Sequence, residues 1–199
     1  MNEIFCIPKN DNEKRFIIGK KGNRNLLCVG LNPNTANENN LDATSRNFER
    51  IANDNGYDGW CLVNLYPTRN PKGKNLSNIV DDKLFWENIQ QIDTIACSKE
   101  LNISDVLVGW GNDINDKIYF KASIYQIYER LKKHNLNYYS FRTNKSGNPS
   151  HPSPMTINTR FKATDKLMMN KFDFESYANK LKSELTLIPN ITIDGKAFD

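Results

Sequence analysis

The chain has 199 residues, of which 38% are hydrophobic and 25% charged, and its formal net charge is +4. That length suits one domain with a sizeable core, and no apolar stretch approaches the roughly 18 residues that a membrane span requires. A mild basic excess permits a polyanionic partner without demanding one. The first ten residues lack the basic and apolar regions of a secretory signal, so the expected compartment is the cytoplasm.

The predicted elements begin with a β-hairpin, because Ile4–Ile7 and Arg15–Ile18 flank a polar turn. A buried strand follows over Leu26–Leu31, then an amphipathic helix over Thr44–Asn55. The pattern repeats with a strand at Trp60–Tyr66, a helix at Val80–Lys99, a strand at Asp105–Trp110, a helix at Ile118–His134 and a strand at Leu136–Phe141. In the third helix Ile124, Ile127, Tyr128 and Leu131 form the inward stripe. Past Lys166, Phe174–Leu185 reads as an amphipathic helix and Leu187–Asp199 as a short strand or extended tail. Short apolar runs alternating with longer amphipathic stretches predict βαβ units around a parallel sheet. The expectation is one α/β domain over 1–199, three layers deep, with a central, mainly parallel four-stranded sheet, a hairpin at about 1–20 and a C-terminal helix and tail at about 170–199.

Cys6, Cys28, Cys61 and Cys97 are widely spaced and mostly lie inside apolar runs, with no C-x-x-C pair among them. Buried free thiols are expected, and neither a metal site nor a cofactor is.

One of the two histidines sits in Ser150-His151-Pro152-Ser153-Pro154-Met155. The prolines fix two φ angles and remove two donors, so His151 is expected in a stiff, non-helical loop suited to meeting a substrate atom. The other, His134, ends a helix, where a cation suits the dipole, and takes no catalytic role. The unusual residues fall just after the C-terminal ends of the predicted strands: Asn32 after the first, Asn64 at the second, Gly109-Trp110-Gly111 at the third, His151 beyond the fourth. Ligands of open α/β sheets bind at that edge, so these groups are expected to share one crevice.

The ordered set Gly30-Leu31-Asn32-Pro33, Leu62-Val63-Asn64, Val106 to Gly111 and His151 to Met155 resembles the uracil-DNA glycosylase superfamily over roughly residues 26 to 160. The first element is similar to the mismatch-specific (thymine/uracil) branch, the last to the uracil-specific branch. Closer still is a bacterial and phage family, DUF1643, whose pattern resembles Asn32 to Ala36, Asp42 to Thr44, Asn64-Leu65, Trp110-Gly111 and His151-Pro152. The resemblance implies a uracil-DNA glycosylase-like fold and cleavage of the N-glycosidic bond of a flipped uracil, mismatched thymine or modified pyrimidine in DNA. His151 would donate to the base O2 as negative charge develops there. Asn32 would hold the attacking water, although an amide positions water better than it deprotonates it. Asn64 would read the base edge with one donor and one acceptor, or else cap a turn. Asp42 opens a helix and is expected as its N-cap, or as the base that Asn32 is not, or as a partner that orients Arg46. Gly30 and Asn34 complete the base pocket, where the small polar residues Asn34 and Thr35 leave room for a 5-substituent. Ser153, Arg69, Lys145 and Arg160 are candidate phosphate contacts, and Met155 is either an apolar wedge or a core residue.

DNA, single- or double-stranded, is the expected partner, with no membrane and a monomer by default. An N-glycoside hydrolase or transferase acting on free nucleosides or nucleotides, and a non-catalytic nucleic-acid-binding module, are the alternatives.

Overall fold

A computed structural model of the chain describes residues 3–70, 76–186, 192–193 and 196–197. The strands are β1 (Ile4–Ile7), β2 (Ile17–Lys20), β3 (Asn25–Gly30), β4 (Gly59–Asn64), β5 (Ile103–Val108), β6 (Asn137–Ser140) and β7 (Asn170–Lys171). The helices are α1 (Ala43–Asp54), α2 (Asp82–Ala96), α3 (Ile118–Leu131), α4 (Pro154–Arg160) and α5 (Phe174–Thr186). The tail contributes a two-residue pairing of Thr192–Ile193 with Lys196–Ala197, while residues 187–191, 194–195 and 198–199 of its predicted extent lie outside the described residues.

The four predicted strands are β3 to β6, and they form the parallel core of the sheet in the order β4-β3-β5-β6. The sheet nevertheless has seven strands rather than four, in the order β1-β2-β4-β3-β5-β6-β7. The hairpin is not an appendage: β2 pairs antiparallel with β4, which inserts the fully buried Ile17 and Ile18 into the core and closes an edge that would otherwise expose unpaired backbone groups. At the far edge the two exposed residues of β7 pair antiparallel with β6, and an Asn-Lys pair carries no strand signal.

Alternation along the strands sorts the core into two sheets of side chains. Leu27, Val29, Cys61, Val63, Val106 and Val108 pack with α2, α3 and α5. Leu26, Cys28, Trp60, Leu62 and Leu107 face the other way, under Phe48, Ile51 and Ala52 of α1 and Ile157 of α4. The result is three layers, with the thinner helical cover on the α1 face. Trp110 is wholly buried, and its indole N–H reaches the Tyr177 hydroxyl of α5 at 3.4 Å, so it is a core residue. Cys6, Cys28 and Cys61 are buried free thiols, whereas Cys97 is exposed just past α2. His134 pairs with Asp93 at 2.9 Å, away from the C-terminal ends of the strands. Among the described residues no helix is long and apolar enough to cross a membrane.

Candidate functional site

The site grows from the register of β3 on β4. Gly30 and Asn64 are parallel-sheet partners, and each ends its strand on the α1 face, Asn64 following Trp60 and Leu62 at intervals of two. A Cβ on Gly30 would lie 2.9 Å from Asn64 Oδ1, so glycine is what leaves the Asn64 amide its place. The strand end is latched from the opposite face, where Asn88 Nδ2 of α2 donates to the Asn64 carbonyl at 2.9 Å and the Ser123 hydroxyl of α3 donates to the Leu65 carbonyl. Asn64 is only 2% exposed, yet its Nδ2 finds no hydrogen-bond partner among the described residues.

His151 is seated against the end of β5. Gly111 has φ +82°, its N–H donates to the Pro149 carbonyl at 2.9 Å, and a Cβ there would lie 2.9 Å from the Cβ of His151. Across the loop, Asn47 Nδ2 of α1 donates to the Pro152 carbonyl at 2.8 Å, and the His151 ring meets Phe48 edge-on with centroids 6.5 Å apart. Burial pushes the imidazole down to about 4, against a smaller opposing pull from Asp42, so His151 is neutral at physiological pH. The rigid loop is shorter than expected: Ser153 N-caps α4, accepting from the Thr156 N–H at 3.2 Å, and Pro154 occupies the first turn, where its missing donor costs nothing. Gly111→Ala is expected to cost about 1–2 kcal/mol through the left-handed backbone alone and to displace His151 as well. Thermal unfolding together with turnover measurements would check this.

Asp42 is the N-cap of α1. One carboxylate oxygen accepts from the Ser45 N–H at 2.8 Å and the other from the Ala36 N–H at 3.2 Å, which folds the Asn34–Asp42 loop down onto the helix. It does not orient Arg46, which donates instead to the Leu41 carbonyl. Asn32 is partly buried and donates through Nδ2 to the Pro33 carbonyl at 3.1 Å.

These groups converge on one cavity of about 250 Å³, lined by Asn32, Asn34, Asp42, Asn64, His151 and Ser153 with Phe48 as an apolar wall. Gly30, expected in the base pocket, is not among the lining residues and acts by leaving space for the Asn64 side chain. An adjoining hollow of about 220 Å³ shares Leu31, Asn32, Asn70 and Asp113 and extends to Lys117.

The predicted phosphate contacts fare differently. Arg69 is an internal brace: Nε donates to the Asp11 carbonyl at 2.9 Å and Nη1 to the carbonyls of Asn34 and Ala36 at 3.0 and 2.8 Å. The Ser153 hydroxyl is committed to its helix cap. Lys145 and Arg160 are exposed, and Met155, at 76% exposure on the first turn of α4, is a surface residue rather than a core one.

Several lining residues escaped the sequence reading, Phe48 and Asn70 among them, and three of the others carry polar groups of note. Arg15 is 1% exposed, with Nη1 donating to the Ala36 carbonyl at 3.2 Å and Nε without a partner among the described residues. Burial pushes it down to about 10, so it stays a cation at neutral pH. Its only sequence signal is a charge opening the apolar run Phe16-Ile17-Ile18. Ser45 lines the same cavity with a buried hydroxyl that has no partner among the described residues. Asp113, on a short 3-10 turn after Trp110-Gly111, has its carboxyl raised by burial and by Asp116.

No curated protein and no solved structure matches the chain. A family profile described as "Protein of unknown function (DUF1643)" does match it, over residues 15–153. Arg15, Asn32, Asp42, Asn64 and His151 all fall inside the matched span, which Met155 and Arg160 do not. Since that span is well over half of its length, the chain belongs to the DUF1643 family.

Proposed function

We propose that this protein hydrolyses the N-glycosidic bond of a pyrimidine nucleotide flipped out of DNA, in the manner of a uracil-DNA glycosylase-like fold. The observation that carries this reading is the buried, unpartnered Asn64 Nδ2 in a cavity with room for one base, with a neutral imidazole on the cavity wall. An unpaired buried donor costs free energy unless a ligand acceptor completes it, and the edge of a flipped pyrimidine offers one. Phe48 supplies an apolar surface beside it.

In the reaction the C1′–N bond breaks with its electron pair passing to the base, water bonds to C1′, and the water proton leaves to solvent. Neutral His151 donates a hydrogen bond to the base oxygen where charge gathers. Asn32, whose Nδ2 is held by the Pro33 carbonyl, turns its Oδ1 to orient the water. DNA is favoured over a free nucleoside by Met155, an exposed apolar side chain four residues past His151, where a wedge would enter the vacated stack.

Single- and double-stranded oligonucleotides carrying uracil, mismatched thymine or 5-substituted pyrimidines, and the matching free nucleosides, would be incubated with the protein and released base measured. Release from DNA is expected. Release from nucleosides alone would transfer the activity to nucleotide metabolism, and salt-sensitive DNA binding without release would leave a binding module. In the same assay Asp42→Asn is expected to retain turnover while losing about 1–3 kcal/mol of stability, since Asn still caps α1 through its one oxygen but turns a donor toward the Ala36 N–H, which loses its acceptor. A folded variant without turnover would make Asp42 the base.

A further inference from the structure

Arg15 enters the pocket from a part of the chain that none of the sequence motifs touches. It lies in the hairpin turn two residues before β2, whose neighbour is β4, whereas His151 packs against Gly111 beyond β5. In the sheet order β2-β4-β3-β5 the two therefore stand on opposite sides of the strand ends that carry Asn64 and Asn32. Arg15 is 1% exposed and lines the same cavity as those residues. Of its guanidinium, Nη1 is held by the Ala36 carbonyl while Nε has no partner among the described residues. Among the described residues no carboxylate makes ion-pair contact with it; both oxygens of the nearby Asp42 already accept backbone N–H groups. A cation taken out of water without a contact anion is costly, and it leaves a fixed positive potential directed at whatever fills the pocket.

We propose that Arg15 is a second anion-stabilising catalytic residue, meeting the departing base on the side opposite His151. The inference rests on the glycosidic reading of the pocket. When the C1′–N bond breaks, the electron pair left on a 2,4-dioxopyrimidine spreads over both exocyclic oxygens. His151 takes one, and the guanidinium takes the other. The base then leaves as its anion and collects a proton from solvent. A guanidinium is suited to this because it is charged at every working pH and needs no proton transfer. The Asn64 amide between them reads the ring edge.

The test uses ligands that need no turnover. Uracil and barbiturate have nearly the same shape, but barbiturate is an anion at neutral pH and so mimics the departing base. In NMR titrations of the full chain at pH 7, barbiturate is expected to bind about tenfold or more tighter than uracil, the scale of a hydrogen bond to a charged group. Arg15→Met should erase that preference while shifting uracil affinity by no more than about threefold. Arg15→Lys, which keeps the charge but withdraws the Nε donor, should shrink the preference without abolishing it, and it carries the assignment if the Met variant does not fold. Wild-type protein that binds both ligands equally overturns the role of Arg15 and leaves the pyrimidine pocket standing. An unchanged preference in Arg15→Met, or in Arg15→Lys where that variant alone folds, overturns it equally. If neither ligand binds, the pyrimidine reading fails and the role of Arg15 goes with it.

Discussion

His151→Ala is expected to lower the rate of base release by about a hundredfold to a thousandfold, the usual loss when one preorganised donor to a developing oxyanion is removed. The folded state should survive, because the side chain borders a cavity rather than filling the core. The pH dependence supplies a second readout. Burial lowers the imidazole from its ordinary value of 6.5 to about 4. The unfolded chain therefore takes up the proton before the folded one does. Stability from this group is complete above about 6.5 and is lost as pH falls toward about 4. Denaturant titrations at pH 7 and pH 4.5 should show a steeper loss in wild type than in His151→Ala. Full base release by the alanine variant would remove His151 from the chemistry.

Asn64→Ala should reduce turnover by about a thousandfold or more, because a site built around a hydrogen bond to its ligand discriminates strongly once that bond is lost. Stability should change by less than about 1 kcal/mol, since the deleted Nδ2 is an unsatisfied buried group and its removal forfeits no bond within the protein. A turn-capping Asn would behave in the opposite way, losing stability and keeping turnover. Asn88→Ala is the informative control: it frees the Asn64 carbonyl from its latch on α2 and should destabilise the strand end without touching the pocket directly. Unfolding curves and single-turnover rates for both variants separate reading the ligand from holding the strand.

The parallel core was legible because β3, β4 and β5 are short runs of buried apolar residues, and a strand buried on both faces writes itself into sequence as a continuous apolar stretch. The convergence of Asn32, Asn64 and His151 followed from the same pattern, since parallel strands bring their C-terminal ends to one edge. The outer strands were less visible. β2 was recognised as a strand, but its antiparallel seat on β4 depends on long-range pairing that no local pattern encodes, and β7 is two polar residues placed by β6. The fate of individual polar side chains was the least legible of all. Arg69 and Arg15 are the same residue type in flanking loops, yet one spends its donors on three carbonyls while the other keeps Nε unspent in the pocket. That distinction is made by the fold of the Asn34–Asp42 loop, whose Ala36 carbonyl both arginines share. Ser153 was likewise read as a phosphate contact, and its second role, capping the helix that begins just beyond it, showed only in the fold.

The scattered origin of the pocket has a consequence for folding kinetics. Its walls come from the turn of the hairpin, the loop after β3 with the first turns of α1, the end of β4 and the loop beyond it, the turn after β5 and the segment after β6, so no single contiguous stretch of chain completes it. Contacts of such high sequence separation form late, after the entropic cost of closing long loops has been met. A collapsed intermediate lacking only the hairpin would keep the parallel core but lose Arg15 and one side of the cavity. Ligand capture during refolding would then report the last docking event rather than the first, and a pocket ligand would act on the globally folded population alone, raising the midpoint of unfolding with the logarithm of its concentration above Kd.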